Sequence, residues 1–195
     1  MSNIDKMKIL VFDNYDSFTY NLVQIIRELA PMASLEVHRN NEIQLEQINA
    51  FDKILLSPGP GLPSESGLLL PLINEYAATK SIFGVCLGQQ AIAENFSGQL
   101  LNLSQVYHGV ATQVHITSPS SLFEGLPTTF NVGRYHSWVV DEKNFPPELI
   151  ITSKDGQGYI MSLEHTTYDV KAVQFHPESV LTPLGTTIIK NWLKS

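Results

Sequence analysis

One cysteine, Cys86, stands in a chain of 195 residues. That excludes an intrachain disulfide and a zinc site of the CxxC kind, and leaves room for a reactive thiol in a reducing compartment. Basic side chains are also scarce, with 12 Lys and Arg against 19 Asp and Glu and a formal charge of −7. Phosphate backbones and anionic membranes need basic patches, so neither nucleic acid nor a membrane is expected as a partner. A small molecule or another protein is. No segment approaches the roughly 18 apolar residues of a membrane span. Residues 1–5 show no basic stretch leading into an apolar one, so no secretory or mitochondrial signal is read and a cytoplasmic location is expected. Internal repeats and low-complexity linkers are missing too, and Phe145-Pro146-Pro147 reads as a turn. The length suits one α/β domain over 1–195, burying roughly 70% of its unfolded surface.

What the chain does have is an alternation of apolar runs and helical periods. The run 8–12 (KILVF) is nearly unbroken, as in a parallel strand covered on both faces. Asp16 or Ser17 is placed to cap the next segment, where Phe18, Leu22, Ile25, Ile26 and Leu29 recur at helical spacing until Pro31. Further strands are predicted at 35–37, 54–56 and 82–85, and helices at 68–78 and 87–96. Beyond Gly98 come shorter alternating pieces at 112–116, 128–132, 159–163 and 171–175, then a last helix at 184–193. The expected fold is α/β: an open, mostly parallel sheet with flanking helices and additional antiparallel strands in the C-terminal half.

The cysteine sits in Gly84-Val85-Cys86-Leu87-Gly88, after a predicted strand and at the start of a predicted helix. A lone cysteine is by default a small buried hydrophobe. The flanking glycines point instead to a nucleophile elbow, a tight strand-to-helix turn that holds the side chain above the sheet. A helix N-terminus and a neighbouring imidazolium both favour the thiolate there. Phe175-His176-Pro177-Glu178 offers a base and its orienter, since residues two apart in an extended segment point the same way. His38, His108, His115, His136 and His165 are scattered, most of them read as surface or satisfied structural residues, and a dispersed set argues against a metal. Ser57-Pro58-Gly59-Pro60-Gly61 closes another strand with a nearly side-chain-free loop, so the Gly59 amide, with that of Leu87, is a candidate oxyanion hole. Gln90 follows Cys86 by four residues, hence on the same helix face, where its amide can bond a polar substrate.

SPGPG, GVCLGxQ and QFHPE, in this order over nearly the whole chain, resemble the class I (triad) glutamine amidotransferases. The resemblance implies Cys86 as nucleophile, His176 as base, Glu178 as its orienter, and the Gly59 and Leu87 amides as the oxyanion hole. It implies glutamine binding by Gly59, Pro60, Gly61, Gln90, Ser137 and Trp138. Within the family, DNYDSFTYN at 13–21 and Arg134-Tyr135-His136-Ser137 are similar to the glutaminase subunits of chorismate-using synthases. The resemblance thus implies L-glutamine as substrate and, as partner, a synthase like anthranilate synthase component I, with the aminodeoxychorismate synthase glutaminase as the alternative. No metal or cofactor is implied for this chain; any magnesium requirement falls to the synthase. Gln89 replaces the histidine of many relatives, and Trp138 stands where leucine is commoner. Two other classes share the elbow: a self-sufficient thiol hydrolase, which turns over without a partner, and an idle binding module, for which an intact triad has no use.

Overall fold

The computed structural model describes residues 6–195, so the reading made on residues 1–5 lies outside it. In chain order the elements are β1 (Lys8–Asp13), α1 (Thr19–Leu29), β2 (Ser34–Arg39), β3 (Lys53–Leu56), α2 (Leu69–Tyr76), β4 (Ser81–Val85), α3 (Leu87–Asn95), β5 (Leu100–Asn102), β6 (Val110–Ile116), β7 (Thr129–Arg134), β8 (Trp138–Val140), β9 (Leu149–Asp155), β10 (Ile160–His165), β11 (Val170–Val173) and α4 (Gly185–Lys194). The KILVF run is unbroken because β1 serves two cores. Ile9 and Val11 pack with Leu22, Val23 and Ile26 of α1, while Leu10 and Phe12 pack with Leu69, Leu72 and Ile73 of α2. Helix α1 starts later than expected. Neither Asp16 nor Ser17 caps it; the N-cap is Phe18, whose own N–H is taken by the Asp16 carboxylate at 2.7 Å. That local turn uses the acceptor a capping aspartate would have offered the helix.

The main sheet runs β2-β1-β3-β4-β11-β10-β9-β6-β7. From β2 to β11 all neighbours are parallel, and from β11 to β7 all are antiparallel. The antiparallel strands were expected around the parallel core; they all extend it on one side. β5 and β8 form a separate two-stranded pair. Strands β5, β8 and β9 were not foreseen, and β11 ends at Val173 rather than Phe175.

What matters for function is where the parallel strands stop. β1, β3, β4 and β11 end along one edge, and Asn14, the 57–61 loop, Cys86 and His176 follow them there. This is the edge at which open α/β sheets hold ligands. Among the described residues no helix is long and apolar enough to cross a membrane, and no group of three or more metal-ligating side chains occurs.

Candidate active site

Cys86 joins β4 to α3 with φ 53° and ψ −100°, a left-handed conformation that a residue with a Cβ adopts at a cost of about 1–3 kcal/mol. The elbow is held from both sides: the Cys86 N–H donates to the Val173 carbonyl at 2.8 Å, and the Cys86 carbonyl accepts from Gln90 N–H at 3.2 Å. The two glycines permit the tight turn. A Cβ on Gly84 would lie 2.6 Å from the Gly88 carbonyl carbon, and one on Gly88 would lie 2.7 Å from the Leu56 oxygen. Any larger residue at either position pushes α3 off the sheet. The thiol itself is nearly buried, at 6% exposure.

His176 and Glu178 meet, though not along an extended segment. Past β11 the backbone makes a single bridge between His176 and Gly133 and then turns, with the Ser179 N–H on the His176 carbonyl at 3.2 Å. It is this turn that puts Glu178 Oε1 2.6 Å from His176 Nδ1. Both side chains are buried. The Tyr135 ring meets the imidazole edge-on, with centroids 4.8 Å apart, and its hydroxyl is anchored on Ser179 Oγ at 3.0 Å. Burial alone pulls the His176 pKa down; the neighbouring Cys86 sulfur and the Glu178 carboxylate outweigh it and hold the value well above 6.5. Nε2 has no aligned hydrogen bond, so the Cys86 thiol is near enough to act on the ring without yet being bonded to it. That is common before substrate arrives.

The 57–61 loop is clamped by Asn14. Its N–H donates to Ser57 Oγ at 2.8 Å and its Nδ2 to the Ser57 carbonyl at 2.9 Å, while Asn40 Nδ2 donates to Asn14 Oδ1 at 3.3 Å. Gly59 is pressed so close that an added Cβ would sit 2.6 Å from Asn14 Cβ and O and 2.8 Å from Leu87 Cδ2. Among the described residues neither the Gly59 nor the Leu87 amide has a hydrogen-bond acceptor in the protein. Leu87 is the first residue of α3, where the N–H has no helical partner. Two free donors thus stand in contacting segments beside the thiol.

A cavity of about 270 Å³ opens above the sulfur. Gly59, Pro60, Gly61, Cys86, Gln90, Ser137 and Trp138 line it together, as do Val106, Tyr107, His108, Tyr135 and His136. Leu87 and the His176–Glu178 pair are not in its wall; the pair borders a smaller cavity of about 110 Å³ with Phe18 and Asn21. Gln90 is less free than its position suggested. Its Nε2 is spent on the Trp138 carbonyl at 3.0 Å and on Gln174 Oε1 at 3.3 Å, leaving Oε1 for a ligand. The unforeseen wall comes from the loop before β6, which carries no periodic pattern; the one usable signal was the Tyr135-His136-Ser137 run.

His136, read from sequence as one of the structural histidines, is a wall residue that carries no charge. Its Nε2 accepts from Arg134 Nε at 3.1 Å and its Nδ1–H donates to the Trp138 carbonyl at 2.9 Å. Burial, then the Arg134 charge, depress its pKa from 6.5 to about 3. The unfolded imidazole takes up a proton near 6.5 that the folded one refuses until about 3. This group's contribution to stability is therefore complete above pH 6.5 and is withdrawn as pH falls through that window, by up to about 5 kcal/mol at its acid end. Urea unfolding from pH 7 to 4 is expected to show the decline, and His136→Asn, which keeps a donor for Trp138, to flatten it. An equally steep decline in that variant would place the acid sensitivity elsewhere.

Residues 10–195 match the family described as Glutamine amidotransferase class-I. The anthranilate synthase component 2 of Thermus thermophilus is 43% identical over 96% of this chain and 92% of its own. That of Pseudomonas aeruginosa is 42% identical, with 95% and 94% covered. The solved structure of a candidate GMP synthase component from Thermoplasma acidophilum superposes with a TM-score of 0.86 at 26% identity, covering 97% of this chain and 93% of the other. With the family matched over nearly its full length and its thiol elbow standing at the sheet edge, the chain belongs to the class-I glutamine amidotransferases.

Proposed function

We propose that this chain, as one amidotransferase domain in the cytoplasm, hydrolyses L-glutamine and passes the ammonia to a chorismate-using synthase, that of anthranilate formation in tryptophan biosynthesis. The observation that carries the reading is the buried His176–Glu178 pair acting on the one thiol of the chain, at the strained elbow, beside two unpaired backbone amides. The cavity of about 270 Å³ lies just under the range for drug-sized ligands and suits a single amino acid better than a polypeptide. For the customer, the support is that proteins named anthranilate synthase component 2 are 42–43% identical, against 26% for the candidate GMP synthase component.

In this mechanism His176 holds the proton and Cys86 attacks as thiolate at the side-chain carbonyl carbon of glutamine. The Gly59 and Leu87 amides receive the oxyanion. Collapse expels the amine, protonated by His176, as ammonia and leaves a γ-glutamyl thioester. Water then adds with His176 as base, the thiolate departs, and glutamate is released. Glu178 orients the ring and balances the imidazolium. Pro60, Gly61, Ser137, Trp138 and the free Gln90 Oε1 hold the polar ends of the substrate.

The test is reconstitution with an anthranilate synthase component I and chorismate, fed with glutamine or with ammonium salts. Anthranilate is expected from both sources, and from glutamine only when this chain is present. Aminodeoxychorismate as product would reassign the pathway while leaving the glutaminase standing. Full glutamine turnover by the isolated chain, unchanged by the synthase, would instead indicate a self-sufficient hydrolase.

A further inference from the structure

Gln174 takes no part in the proton transfers or in oxyanion binding, yet it is fully buried and its Nε2 lies 3.5 Å from Cys86 Sγ. A primary amide enclosed in this way is stable only where its donors and acceptor are used. The orientation of this one is dictated from outside. The Trp138 carbonyl can only accept, so it fixes the NH2 end of Gln90 towards itself at 3.0 Å. The second N–H of the same nitrogen then requires Gln174 to present its oxygen, at 3.3 Å. Nε2 of Gln174 is what remains to face the sulfur. The Trp138 carbonyl is held in turn by His136 Nδ1–H, His136 Nε2 by Arg134 Nε, and Arg134 Nη1 by Asp155 at 2.5 Å. A guanidinium only donates, so each link of this chain has a single sense.

We propose that Gln174 is a further catalytic residue of this site: its amide N–H donates to the Cys86 sulfur, favours the thiolate over the thiol, and holds Sγ in line for attack. The bond is stronger to an anion than to a neutral thiol. It therefore acts twice, on the resting nucleophile and again on the thiolate that leaves when the thioester is hydrolysed. Gln90, Trp138, His136, Arg134 and Asp155 are positioning residues that keep the N–H, rather than the oxygen, on the sulfur.

The inference rests on Cys86 being the nucleophile, and alkylation of the thiol reads it directly. Rates of modification by iodoacetamide are measured against pH on the full chain, as the parent, Gln174→Met and Gln174→Glu. The titratable and charged groups beside the thiol or along the relay are His176, Glu178, His136, His108, Tyr107, Tyr135, Arg134 and Asp155, and both variants leave all of them in place. The midpoint of the alkylation profile is expected to rise by about one pH unit in Gln174→Met, equivalent to about tenfold in the thiol–thiolate equilibrium constant. In Gln174→Glu, where a carboxylate replaces the donor, it is expected to rise further. In the synthase complex kcat for glutamine falls and KM changes little. An unmoved midpoint in folded Gln174→Met overturns the proposal. Should that variant not fold, the parent protein decides by nitrogen-15 NMR: the Gln174 side-chain NH2 resonance must titrate with the alkylation midpoint and cease to do so in Cys86→Ala. A resonance indifferent to the thiol overturns the proposal equally. Loss of the glutaminase reading itself shows separately, as glutamine-dependent activity that survives Cys86→Ser.

Discussion

Serine in place of Cys86 is expected to lower glutamine-dependent amination in the assembled complex below about 10⁻³ of the parent rate, with ammonium-dependent amination retained. The substitution is nearly isosteric, so the elbow, the cavity and the partner-facing surface stay as they are. What changes is the proposed nucleophile. A thiol with an ordinary pKa near 8.5 yields thiolate readily beside an imidazolium, whereas a hydroxyl needs full proton removal during attack. Cys86 is itself the first of the groups that raise the His176 pKa against its burial, so the serine variant also loses the partner that keeps the resting imidazolium in place. The strained backbone adds a second reading from the same position. At φ 53° glycine escapes the penalty borne by any residue with a Cβ. Cys86→Gly is therefore expected to be more stable than Cys86→Ala by about 1 kcal/mol, the reverse of the usual order for these two residues. Both variants are inactive with glutamine. Denaturant midpoints decide the stability order, and an Ala variant as stable as the Gly variant would mean that the elbow is not strained.

The sequence made the parallel half of the sheet legible because β1, β3 and β4 are covered on both faces and so appear as plain apolar runs. Strand β9 was not, for the opposite reason: it buries polar residues. Thr152 and Ser153 are fully buried, each with its hydroxyl 2.6 Å from Ser162 Oγ, so the alternation that marks a strand is masked by side chains that satisfy one another across it. At the site, the elbow is visible because Gly84, Cys86 and Gly88 fall within five residues, although the backbone that demands Gly88 is that of Leu56 on β3. The pairing of His176 with Glu178 was foreseen on the wrong geometry, since a turn rather than an extended segment joins them. The free N–H groups expected of Gln90 were overestimated, because Trp138 and Gln174, 48 and 84 residues away, occupy them. Tyr107 carries no sequence signal of a site, and His108 reads from sequence only as one of the scattered histidines. They reach the cavity through the packing of Tyr107 against Arg134 and His136, which no local pattern records.

A single methyl group at Gly59 is expected to lower kcat for glutamine by about 10²- to 10³-fold, the scale of losing one oxyanion donor. The added Cβ would meet Asn14 O and Cβ at 2.6 Å, and neither can withdraw. Asn14 is bonded twice to Ser57 and once to Asn40, and follows directly on β1. The third clash, with Leu87 Cδ2 at 2.8 Å, presses on the residue that carries the other proposed donor. The loop must therefore shift, and the amide that shifts with it leaves the position proposed for the oxyanion. Ground-state contacts from Pro60, Gly61 and Gln90 remain, so KM is expected to stay within a few-fold of the parent. Gly61→Ala supplies the contrast. That residue lies at φ 75°, so alanine is strained there, but its new Cβ meets only the end of the flexible Glu65 side chain at 2.8 Å. It should lose stability by about 1 kcal/mol and keep most of its kcat. Steady-state kinetics on both variants in the synthase complex, with ammonium-dependent turnover as the control for assembly, separate the two cases. A Gly59→Ala enzyme with parental kcat would remove the Gly59 amide from the oxyanion hole and leave Leu87 to hold the charge alone.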